Sequence, residues 1–521
     1  MNRPEPGSAS GTRFASTQVG IAPTETLQTN VEPSAAAFSI VSRFVRTQWH
    51  WISAISILVL IPCFWHREIE AADLGSHVYN AWLVQLIHKG QVHGLWIDHR
   101  WNNILFDYLL SAFGSFLSLR NAERIVVSIC VLIFFWGVFA LVAAASRRPA
   151  WHLLPFIAVI SYGWTFEMGF FNYYLALGLS FWALAVVWRG VGRERLIALA
   201  IAPLVVLAHP LGLFWLAGAS IYVLIAERVR FRYHILLLLA GAGVLFGVHE
   251  YLRRNYVLEP KTLHFCYYSG ADQLVLFGHR YRILANGLLI CIAAFVVWDI
   301  ARRRREGHFG TAYEIPLHLY ALTFVAVLLL PRGIHVPGHI GAIALLTERL
   351  TSVSAVLLCC LLAAMRPSKW HLAAWAAIAG AFFTFLYQDT GKINQMENDI
   401  ARLVRTLPPN QRVMGTILAP EEWRVTIQHI LDRACIGYCF SYGNYEPGCK
   451  MFRVRAMLGN PYVLSDYLLA VDMEDGDYKV QPADLPVYQV YQCGEQGTEL
   501  CIHALQVGEE NDDFGVHPDE E

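Results

Sequence analysis

Stretches of about 20 apolar residues, the length a helix needs to cross a hydrocarbon core, recur between Trp49 and Tyr387 of this 521-residue chain. Lipid offers no hydrogen bonds to a peptide backbone, so such segments must satisfy their own N–H and C=O groups as helices. The short alternating segments of a transmembrane barrel are missing from the sequence. Hydrophobic residues make up 55% of the chain and charged ones 16%, where a soluble protein carries about a quarter charged residues. These features predict a polytopic, all-α membrane domain.

Charge excludes one class of partner and orients the rest. A formal net charge of −1 provides no basic surface for a phosphate backbone, which argues against a nucleic-acid partner. The basic residues fall in alternate loops. Arg43 and Arg46 precede the first span, Arg147 and Arg148 follow the second, and Arg189, Arg193 and Arg195 follow the fourth. Arg228, Arg230 and Arg232 come next, then the run 302–305, then Arg366 with Lys369. Placing all of these in the cytoplasm satisfies the positive-inside rule. That register requires eleven spans, near 49–65, 124–146, 151–166, 172–188, 196–208, 210–226, 233–249, 283–300, 313–330, 350–365 and 370–387. The N-terminus is then cytoplasmic and the C-terminus extracytoplasmic. Arg253, Arg254, Arg280 and Arg282 fall outside, in a longer loop where the bias is weaker. Residues 102–117 are apolar enough to cross, but counting them would place Arg147 and Arg148 outside. They are read as an interfacial or re-entrant helix on the outer side. The 31 residues from 196 to 226 break at His209-Pro210, because proline cannot continue the hydrogen-bond ladder.

Three regions result. Residues 1–42 are rich in Ser, Thr, Pro and Ala, lack an apolar signal-peptide core, and read as a disordered cytoplasmic tail. Residues 43–388 form the membrane domain, and 389–521 a small extracytoplasmic α/β domain. Strand-like segments at Arg412-Val413-Met414 and 487–491 support the latter reading. Five of the eleven cysteines lie there, in a compartment where disulfides persist. Cys493 and Cys501 flank a Gly-Glu-Gln-Gly turn and are the pair expected to bond.

With this orientation the polar residues sort to the outer side. Glu70, Asp73, His77, Glu167, Asn172, His209, Glu348 and Arg349 all fall at the outer surface or its lip, and few ionisable groups lie mid-span. A proton or ion pump would carry buried ionisable groups near the midplane. In the first outer loop, Asp73 begins a helix that ends at Lys89-Gly90, with Gly as its C-terminal cap. Val78, Tyr79, Trp82, Leu83, Leu86 and Ile87 give this helix an apolar face, so it is expected in the outer interface. His77 follows Asp73 by four residues and projects from the same edge. Asp73 is also a favoured N-cap residue, and capping is the competing explanation for its position.

The Asp73-x3-His77-x2-Asn80-Ala81 pattern after the first span resembles the GT-C class of membrane glycosyltransferases, which includes protein O-mannosyltransferases and lipid A aminoarabinose transferases. The resemblance extends to Gly169-Phe170-Phe171-Asn172-Tyr173-Tyr174, to His209-Pro210 and to Glu348-Arg349-Leu350. The Asp-Glu pair of protein mannosyltransferases is replaced by Asp73-Leu74, which leaves the acceptor class open. The resemblance implies inverting transfer of a sugar from a polyprenyl-phosphate donor to an acceptor at the outer face of the plasma (inner) membrane. One general base is needed for the acceptor proton, and Asp73 is the candidate, with His77 orienting it or contacting substrate. The leaving lipid phosphate calls for cations or helix N-termini. Arg332 and Arg349 are candidates to clamp it together, with His209 serving the same pocket.

No cofactor is assigned, although a divalent metal is compatible with the residues present. His335 and His339 are separated by Val-Pro-Gly and lack an evident third ligand. Asn444-Tyr445-Glu446-Pro447 followed by Arg453-Val454-Arg455 reads as a turn leading into a solvated strand edge. Two other functions compete: a lipid or solute transporter or flippase, and a noncatalytic membrane scaffold. Neither requires an acidic residue at the head of an interfacial helix.

Overall fold

The computed structural model describes residues 33–262, 265–306, 314–337, 342–417, 423, 425–449, 452–493 and 499–511, with side-chain surroundings from residue 47 onward except at 265, 474 and 475. The expected tail 1–42 lies outside this range up to residue 32, and residues 33–42 form the start of a helix. In chain order the helices are α1 Pro33–Leu60, α2 Leu74–His88, α3 Leu105–Gly114, α4 Leu119–Ser146, α5 Leu154–Ser161, α6 Trp164–Glu167 and α7 Phe171–Arg189. Next come α8 Leu196–Ala208, α9 Pro210–Ala226, α10 His234–Asn255, α11 Phe265–Ser269 and α12 Gly278–Glu306. The chain ends with α13 Glu314–Leu329, α14 Leu346–Ala363, α15 Lys369–Val404, α16 Ile430–Cys435 and α17 Tyr467–Asp475.

Six of these, namely α4, the 231–255 segment containing α10, α7, α12, α14 and α15, are long and apolar enough to cross a membrane. The shorter apolar helices include α9, α13 and residues Thr47–Cys63. The exterior carries large exposed apolar side chains such as Leu199, Phe214, Leu239, Val244, Ile290 and Val297. A continuous apolar surface of this kind is what lipid covers. α7 is apolar and buried on nearly every side, which makes it the central helix. It crosses α4 at small residues. A Cβ on Gly137 would lie 2.6 Å from the Gly178 carbonyl oxygen, so the backbones can approach only because both positions are glycine.

The segment 151–166, expected as one helix, is broken. An eight-residue α5 and a four-residue α6 are separated at Tyr162-Gly163, and α5 spans only about 12 Å. Irregular backbone is tolerated at membrane depth where protein rather than lipid surrounds it, and Ile157, Val159, Ile160 and Tyr162 are all buried. α3 is ten residues long, too short to cross, in keeping with the re-entrant or interfacial reading.

The arginine clusters converge at one end of the bundle. Arg148 Nη2 donates to the carbonyls of Ala363 and Met365, each at 2.8 Å. Arg303 donates to Ala364 at 3.0 Å, Arg195 pairs with Glu227 at 3.5 Å, and the Arg366 N–H donates to Asp299 at 3.3 Å. The stretch between α1 and α3 and the segment after α15 gather at the other end.

That segment carries the mixed sheet. Strands β1 Leu95–Ile97, β2 Val257–Glu259, β3 Gly333–His335 and β4 Ala342–Ile343 belong to the membrane domain. Strands β5 Arg412–Thr416, β6 Phe440–Ser441, β7 Val454–Ala456, β8 Val487–Cys493 and β9 Glu499–Ala504 follow α15. The sheet order β6-β5-β8-β9 is parallel across its first three strands, and the β8–β9 pair is antiparallel. The Cys493–Cys501 disulfide bridges β8 and β9, as expected, and a second disulfide joins Cys435 to Cys439.

Two expectations need correction. α2 is not an amphipathic helix with one wet face. Ten of its fifteen residues are buried, because α16 and β7 cover the side that α3 and α4 leave open. Nor is 453–455 a solvated edge. β7 pairs with β1 in antiparallel register Trp96↔Arg455, and Arg455 is buried with Nη2 3.0 Å from Asp98. Segments 357–361 residues apart in sequence thus form one ribbon.

Candidate functional site

The polypeptide turns sharply into α2 because its backbone is held from behind. Ala72 N–H donates to the Glu167 carbonyl at 2.8 Å, and Asp73 N–H to that of Met168 at 3.4 Å. Gly169 closes this contact with φ +72°, and a Cβ there would lie 2.5 Å from Asp73 N. Only glycine suits both the left-handed backbone and the close approach. Asp73 itself has helical φ/ψ (−72°, −7°) and its side chain makes no capping hydrogen bond. The capping explanation of Asp73 therefore fails. Its carboxylate is about a quarter exposed and lies 4.0 Å from Nε2 of His429.

His77 stands one turn further on. Its Nδ1 is 2.8 Å from Asp107 Oδ1, whose other oxygen accepts from Asn172 Nδ2 at 2.9 Å. Asn172 in turn accepts from the Phe106 N–H at 2.9 Å. His77 is thus oriented by Asp107 on α3, and its contact with Asp73 runs through the backbone, His77 N–H donating to Asp73 O at 3.0 Å. Burial alone would lower the His77 pKa. The charge and hydrogen bond of Asp107, reinforced by Glu446 and Asp73, raise it instead to about 9. Burial would raise Asp107, but the charge of His77, its hydrogen bond and that of Asn172 hold it below the ordinary carboxylate value. At neutral pH His77 is an imidazolium. Glu446, on the segment that covers α2, accepts from Asn80 and is pushed up to about 7 by burial. These groups, with Arg453, line a cavity of about 30 Å³, which admits water but not a sugar ring.

Arg349 and His209 meet at 3.4 Å, and Asp73 interacts electrostatically with Arg349. Arg349 lies in the first turn of α14, its guanidinium carbon 4.0 Å above the Phe170 ring and 5.8 Å from that of Tyr173. Its Nε is buried without a hydrogen-bond partner. His209 is the N-cap of α9, and its Nδ1 accepts from the Leu211 N–H at 3.2 Å. A neutral imidazole accepting at Nδ1 carries its proton on Nε2. That Nε2 faces Arg349 Nη1 at 3.4 Å. Two donors thus point at one another, an arrangement that a shared acceptor, such as an anionic oxygen, would satisfy.

The two arginines expected to clamp the phosphate make different contacts. Arg332 is 56% exposed at its side chain and turns to Glu348, 3.7 Å away, while Arg349 turns to the aromatic rings and His209. His335 Nε2 lies 3.1 Å from Glu259 across the β2–β3 pair, and His339 is outside the described residues.

The sequence singled out Asp73, His77, His209 and Arg349, and the structure brings these four together. It missed Asp107, which sits in an otherwise apolar helix, and His429, which is held by Asp432 at 2.9 Å. Comparison with protein families, curated proteins and solved structures finds no match to this chain.

Proposed function

We propose that this protein is a membrane glycosyltransferase. It moves a sugar from a polyprenyl-phosphate donor to an acceptor hydroxyl or amine at the outer face of the membrane, with inversion. The acceptor oxygen or nitrogen forms a bond to the anomeric carbon as the bond to the phosphate oxygen breaks. The electron pair leaves with the lipid phosphate, and the acceptor proton passes to Asp73. The anionic phosphate takes the facing N–H groups of Arg349 and His209, and charge-assisted bonds of this type are the strong ones. The imidazolium of His77, one helical turn from Asp73 and held by Asp107, adds positive charge to this side of the site.

The observation that carries this reading is the converging donor pair, Arg349 and His209, next to a carboxylate that does not cap its helix. A purely structural arginine at this burial would be expected to bond its Nε, which here has no partner. The test supplies purified protein with labelled polyprenyl-phosphate sugars and measures release of the lipid phosphate. Asp73→Asn should lower turnover by about 10²–10⁴-fold, the usual share of general-base catalysis. Thermal stability should change little, since no capping bond is lost. A fully active Asp73→Asn protein, or a wild-type protein that consumes no such donor, would overturn the proposal.

A further inference from the structure

The opposite end of the bundle, where the arginine clusters gather, holds a polar group that the transfer reaction does not use. Glu314 and His318 are four residues apart on α13 and share one face. His234 is the first residue of α10, and Tyr222 comes from α9. One ligand atom from each of His234, Glu314 and His318 can be chosen so that all lie within 4.8 Å of one another.

The hydrogen bonds around these rings fix what faces inward. His234 Nε2 is 3.1 Å from the Val229 carbonyl oxygen, which can only accept, so Nε2 carries the proton. Its Nδ1 points to Glu314. That nitrogen is buried, lies 2.7 Å from Glu314 Oε1, and has no aligned hydrogen-bond partner. A carboxylate oxygen and an imidazole nitrogen at this distance share a proton or a metal cation, and the third ligand, His318, is what favours the metal. The Tyr222 hydroxyl contacts His318 Nδ1 at 3.0 Å and orients that ring. An imidazole whose second nitrogen is tied to a backbone carbonyl or a hydroxyl is the usual support around a metal ligand.

We propose that His234, Glu314 and His318 bind one divalent transition-metal ion of the Zn²⁺ class between α10 and α13. Two imidazoles and a carboxylate suit Zn²⁺ by ligand type, and leave a fourth tetrahedral position for water. The ion ties together two helices that are adjacent in space but 80 residues apart between His234 and Glu314. Sequence inspection misses the set because the three ligands never fall within one short motif.

The test uses full-length protein in detergent, stripped with a chelator and titrated with Zn²⁺, then with Co²⁺ as a coloured surrogate. The expected result is one ion per chain, a Co²⁺ visible spectrum of tetrahedral type, and a melting temperature raised by Zn²⁺. Glu314→Gln keeps the size and hydrogen-bonding capacity of the side chain. It should remain folded by size exclusion and lose at least tenfold in affinity, as should His318→Ala. Tyr222→Phe should weaken binding by about 10–100-fold, the range for loss of an outer-shell partner. The proposal fails if the wild type binds no more Zn²⁺ than Glu314→Gln, or if His318→Ala retains the stoichiometric ion. None of these measurements depends on sugar transfer.

Discussion

Arg433→Met offers the sharpest test of how the segment after α15 is held. The guanidinium lies 3.3 Å from Glu397, 3.7 Å from Glu123 and 4.0 Å from Glu70, and donates to the Ile69 carbonyl at 2.9 Å. Its side chain is 7% exposed. At an effective dielectric of about 20, each such pair is worth about 4–5 kcal/mol of gross attraction. Desolvation offsets most of that, and burial pushes Glu70 up to about 7 and Glu397 well above its usual range. Removing one partner of a buried pair costs about 3–5 kcal/mol, because the remaining charge is left without compensation. Methionine fills most of the volume, so the loss is mainly electrostatic. The sign with pH follows from the raised carboxyls. Their folded pKa lies above the unfolded value, so stability is lost as pH rises through it, and more steeply once Arg433 no longer opposes the shift. The variant should therefore unfold at a clearly lower temperature at pH 8, by tryptophan fluorescence in detergent. The deficit should shrink at pH 6, where Glu70 and Glu397 take up protons. A deficit equal at both values, or no deficit at pH 8, would refute this account of the cluster.

Other outcomes follow from single contacts. Arg349→Ala should weaken binding of a polyprenyl-phosphate donor by about 10–100-fold, corresponding to about 1.5–3 kcal/mol for a hydrogen bond to a charged group; equilibrium binding of labelled lipid checks it. Gly75→Ala should cost about 1–3 kcal/mol by overpacking. Its Cβ would sit 2.5 Å from the His429 carbonyl oxygen, and protease sensitivity of the 405–511 region reads the loss. His77, raised from 6.5 to about 9, contributes stability that is complete below pH 6.5 and is lost as pH climbs through 9. His77→Gln should flatten the melting-temperature profile over that window.

Apolar periodicity located the helices well. α7 runs 171–189 where 172–188 was expected, and α13 runs 314–329 where 313–330 was expected. Local pattern failed where a distant segment overrides it. Asp73 has the residue type of a cap, but the Glu167–Gly169 backbone sets its φ/ψ and leaves the carboxylate uncapped. β7 looks like a wet strand because its partner β1 is three residues long and gives no strand signal. The surroundings of Asp73 depend on Asp107, 34 residues away, and on His429, 356 residues away. Neither lies within reach of a helical or strand repeat, so no local reading brings them together.

The β1–β7 ribbon also has a consequence in time. Asn80 meets Glu446 across 366 residues of chain, and Arg433 reaches the Ile69 carbonyl across 364. At about 5–20 residues per second of synthesis, the head of α2 waits about 20–70 s for the polypeptide that will cover it. The apolar helices up to α14 are made first, and the pocket around Asp73 is closed last, by the segment that follows α15. A chain released before residue 456 would therefore carry all of its long apolar helices and a pocket around Asp73 left unroofed.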